Sequence, residues 1–305
     1  MQESFDVVII GAGPAGIAAA IYASRSNLNC AIIEKEMPGG QVNKTSVVEN
    51  YPGYTKISGP ELVEKFYSQL NSLEVKQLFS EVTNIKVNKN DKVITLKNGK
   101  KIKTKAIILA LGRKPKKLTS ENFDSLEGKG ISYCSLCDGN LYKGQDVSIV
   151  GSGNSALEES LYLSKICKSV TIICRSEKLK GDSVLIERIE NTKNIKTVYN
   201  STIEEFNGED GILHSLTLNE NGKKVELETK ACFIFIGYEP ATEFLKDLDI
   251  LDENGYVIVD NEYRTKINGI YAAGDIVKKE AFQIVTSVSD GALAAVSAIK
   301  DIKDW

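Results

Sequence analysis

The chain has a single histidine, His214, among its 305 residues. His214 falls on no motif, so no histidine cluster is available to hold a metal. Long basic runs are also missing. Its 38 Lys and Arg are interleaved with 41 Asp and Glu, for a net charge of -3, and nucleic acid is not an expected partner. No apolar run approaches the roughly 20 residues that cross a bilayer. The N-terminus leads straight into Phe5-Asp6-Val7-Val8-Ile9-Ile10 without a basic region followed by an apolar one. No signal peptide is expected, and a cytoplasmic setting is. In that reducing setting the six cysteines do not suggest a framework of structural disulfides. Four of them, Cys30, Cys167, Cys174 and Cys232, lie in or beside apolar segments and read as small buried hydrophobes. What is present is a globular composition and enough chain for about two domains.

Phe5–Ile10 reads as a buried strand. It runs into Gly11-Ala12-Gly13-Pro14-Ala15-Gly16, an Ala-rich helix, and a second apolar strand ending at Glu34. Strand, G-x-G-x-x-G turn, helix, strand and acid form a dinucleotide-binding unit. Gly11 makes the tight turn, Gly13 admits a pyrophosphate to the backbone, and Gly16 lets helix and strand pack closely. Glu34 is placed for a ribose hydroxyl. Pro38-Gly39-Gly40-Gln41 and Val48–Gly53 read as loops. A helix opens at Gly59, and residues 74–105 alternate apolar and polar with an Asn98-Gly99 turn, as antiparallel hairpin strands do. Ala106–Ala110 is a further strand, closed by Leu111-Gly112-Arg113-Lys114-Pro115.

Tyr133-Cys134-Ser135-Leu136-Cys137-Asp138-Gly139 follows, with two cysteines at C-x-x-C spacing and a carboxylate beside them. The first pattern then recurs. Asp146–Val150 is a strand, Gly151-Ser152-Gly153-Asn154-Ser155-Ala156 a turn, Leu157–Lys165 a helix, and Val170–Ile173 the second strand. This internal repeat implies a second nucleotide. No acid ends its second strand. Arg175 and Lys180 stand there instead, where they can pair with a 2′-phosphate. Residues 196–236 alternate again and close in Gly237-Tyr238-Glu239-Pro240, with a boundary near Ala241. Gly269–Asp275 is a strand entering a Gly-Asp turn, followed by an apolar helix from about Asp290 to Ile299.

In this order, the Gly11–Gly16, Gly39–Gln41, Glu49–Gly53, Cys134–Gly139, Gly151–Ala156 and Ala272–Asp275 motifs resemble the low-molecular-weight bacterial-type thioredoxin reductases over essentially the whole chain. The resemblance implies an α/β fold of two Rossmann-like, three-layer ββα nucleotide-binding domains. The FAD domain would be discontinuous (1–115 and 243–305), and a nicotinamide domain carrying the dithiol would span 116–242. FAD and NADPH are the implied cofactors, thioredoxin the implied partner, and a homodimer the implied assembly. By motif position, FAD would meet Gly11, Gly13, Pro14, Ala15, Gly16, Glu34, Gly40, Gln41, Asn50, Gly112, Gly274, Asp275, Gln283 and Ile284. The nicotinamide nucleotide would meet Gly151, Gly153, Asn154, Ser155, Ala156, Arg175 and Lys180. The family's basic phosphate motif is thinned to Arg175 and Lys180, and Phe282 stands where the family usually has Arg. NADH and ferredoxin-type donors are therefore alternatives to NADPH.

The dithiol is expected to close as a redox disulfide, since no second Cys pair accompanies it for zinc. Asp138 is the one acid beside it, read as a proton shuttle or as an N-cap of the next turn. The resemblance places Cys137 nearest the flavin and implies domain rotation, with hinges near Gly112–Lys117 and Pro240–Phe244. Two other activities use the same motifs: a flavoprotein oxidase of small dithiols, and a redox-sensing FAD module without turnover.

Overall fold

The computed structural model describes residues 3–45, 47–88 and 91–303. The chain divides into two compact units, residues 1–114 with 239–305, and residues 115–238.

β1 (Glu3–Ile10) is apolar from Val7 onward because both its faces are covered. Val7 and Ile9 join the core beneath α1 (Pro14–Arg25), while Val8 and Ile10 join the core on the opposite face. β2 (Cys30–Glu34) runs parallel to β1, in register from Val7↔Cys30 to Ile10↔Ile33. α2 (Gly59–Asn71) starts from a full capping box, in which Ser58 and Glu61 satisfy each other's backbone amides.

After α2 the chain enters β3 (Lys76–Phe79), β4 (Val82–Val87), β5 (Lys92–Leu96) and β6 (Lys101–Leu109). The expected hairpins hold for β4 to β6, which are antiparallel around Asn98-Gly99. β3 departs from that reading and pairs with β2 in parallel. It follows a helix that crosses over the sheet, and such a crossover returns the chain parallel. Residues 89 and 90 of this segment lie outside the described residues. The sheet order is β3-β2-β1-β6-β5-β4.

β7 (Arg113–Pro115) leads into the second unit. There α3 (Phe123–Leu126), β8 (Ile131–Ser132) and α4 (Ser135–Asp138) precede β9 (Asp146–Val150), α5 (Asn154–Leu163), β10 (Ser169–Ile173), α6 (Ser183–Glu190) and β11 (Ile195–Val198). β12 (Ser201–Glu209), β13 (Ile212–Glu220) and β14 (Lys223–Glu228) form an antiparallel sheet, and β15 (Ala231–Ile234) returns to the parallel one, ordered β11-β10-β9-β15-β8. The chain leaves through β16 (Tyr238–Pro240), which pairs with β7.

β17 (Ile270–Ala272) then pairs parallel to β6. α7 (Ile284–Lys303) starts six residues earlier than the sequence suggests, through Ile284, Val285, Thr286 and Val288. β-branched residues disfavour helix only weakly, and packing overrides them. α7 lies so close to α1 that a Cβ on Gly291 would stand 2.0 Å from the Ala15 carbonyl oxygen.

Candidate active site and nucleotide cradles

The first Gly-rich turn is shaped by contact. A Cβ on Gly11, which has φ +105°, would sit 2.3 Å from the Ala110 carbonyl oxygen, and one on Gly16 would sit 1.8 Å from that of Gly11. A Cβ on Gly13 would meet nothing within 4 Å. α1 has Pro14 in its first turn and no side-chain cap, unlike α2. An uncapped helix N-terminus with open space at Gly13 is an arrangement that fits a pyrophosphate.

Around that turn the Glu34 carboxylate is fixed by the amides of Ala12 (2.8 Å), Lys35 (2.8 Å) and Glu36 (2.9 Å). Gly40 opens a short 3-10 turn lying 3.6 Å from Gly13, measured from an ideal Cβ. Gln41 Nε2 donates to the Arg113 carbonyl (3.0 Å), and Asn50 Nδ2 to Gln283 Oε1 (3.1 Å). Gly112 has φ +65°, and its carbonyl accepts from the Ala241 amide. Asp275 accepts from Ser287 Oγ (2.9 Å) and pairs with Arg113 (3.2 Å). The adjacent Gly274 amide is held by buried Asp290, which also takes hydrogen bonds from Tyr263 and Lys279 (2.6 Å each). Ala15 packs under Gly274, and Ile284 begins α7. Arg113, Ser287 and Asp290 were not singled out by sequence reasoning. Arg113 reaches Asp275 across 162 residues, and no local pattern signals that. The Arg113 guanidinium also lies 3.8 Å from the Phe282 ring centroid, so that ring is covered by a cation.

The second unit repeats the cradle. A Cβ on Gly151 would stand 2.3 Å from the Phe235 carbonyl oxygen, whereas one on Gly153 would meet nothing within 4 Å. α5 lacks a side-chain cap, Ser155 in its first turn is exposed, and Ala156 is buried against Gly151. The loop after β10 folds back onto the turn, with the Lys180 amide donating to the Ser152 carbonyl (2.7 Å). Asn154 and Asp182 exchange two hydrogen bonds (2.9 and 2.7 Å), so Asn154 serves to hold this loop. Arg175 and Lys180 are exposed.

Cys134 and Cys137 form a disulfide with a Cα–Cα distance of 5.3 Å. Cys134 is extended and caps the single turn of α4, its Sγ accepting from the Cys137 amide (3.1 Å). Cys134 is buried and Cys137 exposed. The Asp138 side chain does not cap the following turn; it accepts a 2.6 Å hydrogen bond from Ser132 Oγ. Tyr133 donates to Glu127 (3.0 Å), and burial raises the Tyr133 hydroxyl above the usual phenol range. The hydrogen bond from Lys117 holds the Glu127 carboxyl below its ordinary value. His214 lies on β13. Among the described residues no group of three or more His, Cys, Asp and Glu could hold a metal, and no helix is long and apolar enough to cross a membrane. The other four cysteines are buried free thiols.

The family described as pyridine nucleotide-disulphide oxidoreductase matches residues 5–291. A thioredoxin reductase of Bacillus subtilis is 39% identical over 298 residues, 97% of this chain and 94% of that protein. The crystal structure of Lactococcus lactis thioredoxin reductase superposes with a TM-score of 0.95 at 39% identity, covering 99% of this chain and 100% of that one. That of T. acidophilum thioredoxin reductase gives 0.93 at 36% identity, covering 98% and 99%.

Proposed function

Because the chain belongs to the pyridine nucleotide-disulphide oxidoreductase family, we propose that it is a dithiol flavoenzyme that reduces oxidised thioredoxin. The observation that carries this reading is the Cys134–Cys137 disulfide, closed beside Asp138 in the same unit as the Gly151–Ala156 cradle. In this reading FAD is held by the cradle of the first unit and NADPH by that of the second, with Arg175 and Lys180 meeting the 2′-phosphate. A homodimer in the cytoplasm completes the proposal.

The uncapped turns of α1 and α5 supply amides for the two pyrophosphates. Glu34 is held at the strand end for the adenosine ribose, and Asp275 is placed by Ser287 and Arg113 for the ribityl hydroxyls. FAD, when bound, supplies the two-electron chemistry that links a nicotinamide hydride to a disulfide.

The Cys134–Cys137 bond takes up two electrons and two protons and opens to the dithiol. One of its thiolates attacks the thioredoxin disulfide, forming a mixed disulfide and releasing a thioredoxin thiolate. The second cysteine displaces the remaining thioredoxin sulfur, so the enzyme disulfide re-forms and thioredoxin leaves as the dithiol. Asp138 takes the proton from an attacking thiol and returns one to a departing thiolate.

Cys137→Ser should keep nicotinamide-dependent flavin reduction and abolish thioredoxin turnover; retained turnover would sink the scheme. Anaerobic mixing with NADPH, NADH and reduced ferredoxin in turn identifies the donor, and NADPH should bleach the flavin fastest.

A further inference from the structure

Ser132 ends β8, two residues before the dithiol, and is 8% exposed. Its hydroxyl touches three groups. It donates to Asp138 Oδ2 at 2.6 Å, it accepts the Cys134 amide at 3.1 Å, and the Cys134 carbonyl lies 3.4 Å away. A serine hydroxyl has one hydrogen to give and two lone pairs to receive.

That inventory matches what a proton-carrying Asp138 demands. With Asp138 ionised, the Ser132 hydrogen points to Oδ2. With a proton on Oδ2, Asp138 becomes the donor, and Ser132 must receive rather than give. Its hydrogen then turns to the Cys134 carbonyl, while its oxygen keeps the Cys134 amide on one lone pair and takes the Asp138 proton on the other. Every donor is satisfied in both states without movement of the backbone, which matters because an unsatisfied buried polar group is costly.

We propose that Ser132 is a positioning residue whose rotating hydroxyl holds Asp138 in both protonation states and couples it to the backbone of Cys134. This rests on the reading of Asp138 as the proton carrier of thiol–disulfide exchange. Ser132 touches neither sulfur in these contacts; it acts through Asp138. No net proton is consumed by it, since each proton Asp138 accepts from a thiol is passed to a thiolate.

The test is a double-mutant cycle on thioredoxin turnover by the FAD-loaded enzyme, with flavin absorbance and thermal melting reporting the fold. Asp138→Asn should lower kcat by about a hundredfold or more, the scale of a lost general acid–base. Ser132→Ala should lower it about tenfold, as expected for losing one hydrogen bond to a charged group. In the Asp138→Asn background Ser132→Ala should cost nothing further. Ser132→Thr keeps the hydroxyl and should stay within about threefold of the parent; it carries the test if Ser132→Ala does not fold. An equal loss from Ser132→Ala in both backgrounds would show a purely structural role and overturn the proposal. So would parental kcat in Ser132→Ala while Asp138→Asn is slow, or a loss in Ser132→Thr as large as in Ser132→Ala. Parental kcat in Asp138→Asn would instead overturn the reading of Asp138 itself.

Discussion

Asn154 and Asp182 hold each other by two reciprocal hydrogen bonds, Asn154 Nδ2 to Asp182 Oδ2 at 2.9 Å and the Asp182 amide to Asn154 Oδ1 at 2.7 Å. One residue opens α5 at the second Gly-rich turn. The other precedes α6 and ends the loop that carries Arg175 and Lys180. The pair therefore sets where that loop's two cations stand relative to the cradle.

Asp182→Ala should raise KM for the nicotinamide nucleotide by about fivefold, the equivalent of roughly 1 kcal/mol. kcat with saturating nucleotide should change little, because nothing in the dithiol contacts involves Asp182. Replacing Arg175 and Lys180 together by Ala should raise KM for NADPH and leave that for NADH nearly unchanged. Steady-state kinetics with both nucleotides decide the matter, and equal effects on the two would refute the 2′-phosphate assignment.

Gly13 and Gly16 should respond to Ala in opposite ways. A methyl at Gly13 meets no protein atom within 4 Å, so Gly13→Ala should fold and melt like the parent protein. It occupies the open space at the uncapped N-terminus of α1, and FAD affinity should fall at least about tenfold, since each tenfold corresponds to about 1.4 kcal/mol. A methyl at Gly16 would press to 1.8 Å of the Gly11 carbonyl oxygen, and Gly16→Ala should yield little folded protein. Flavin titration and circular dichroism of the purified variants separate the two outcomes.

The cysteines should divide sharply in reactivity. Burial pushes the Cys30 and Cys167 thiols up to about 11 and Cys232 to about 12, from an ordinary value of 9.0. They carry almost no thiolate near neutrality. Iodoacetamide at pH 8 should label Cys137, the exposed member of the pair, first after reduction, and should reach Cys30, Cys167 and Cys232 only on unfolding. Mass mapping of the alkylated peptides checks this.

The same shifts have a pH consequence. Between about pH 9 and 11 the folded chain keeps protons on these thiols that the unfolded chain has released. The folded state binds more protons, so its stability is full below pH 9 and falls as pH rises through that window. Denaturant melts at pH 8, 9.5 and 11 should show a declining midpoint.

Much of this protein was legible along the chain because its key parts are local. The turn from Gly11 to Gly16, its repeat from Gly151 to Ala156, and the Cys134–Cys137 pair each lie within a few residues, where backbone geometry and spacing fix what the chemistry can be. The parallel strands were legible from apolar runs such as Phe5–Ile10, whose two faces had to be covered. Other features were not local. β3 joined β2 rather than a hairpin because of the helix before it, and α7 extended back to Ile284, which packs against the Val42, Val48, Leu62 and Val63 cluster, despite its β-branched first turn. Arg113 met Asp275 and Phe282, and Asn154 met Asp182, only once the sheets had brought distant segments together. The sequence by itself determined where the two Gly-rich turns and the closed C-x-x-C pair would form, because each is local. Tertiary structure alone decided which side chains orient them, because a hydrogen bond depends on ångström-scale placement that spacing along the chain does not encode.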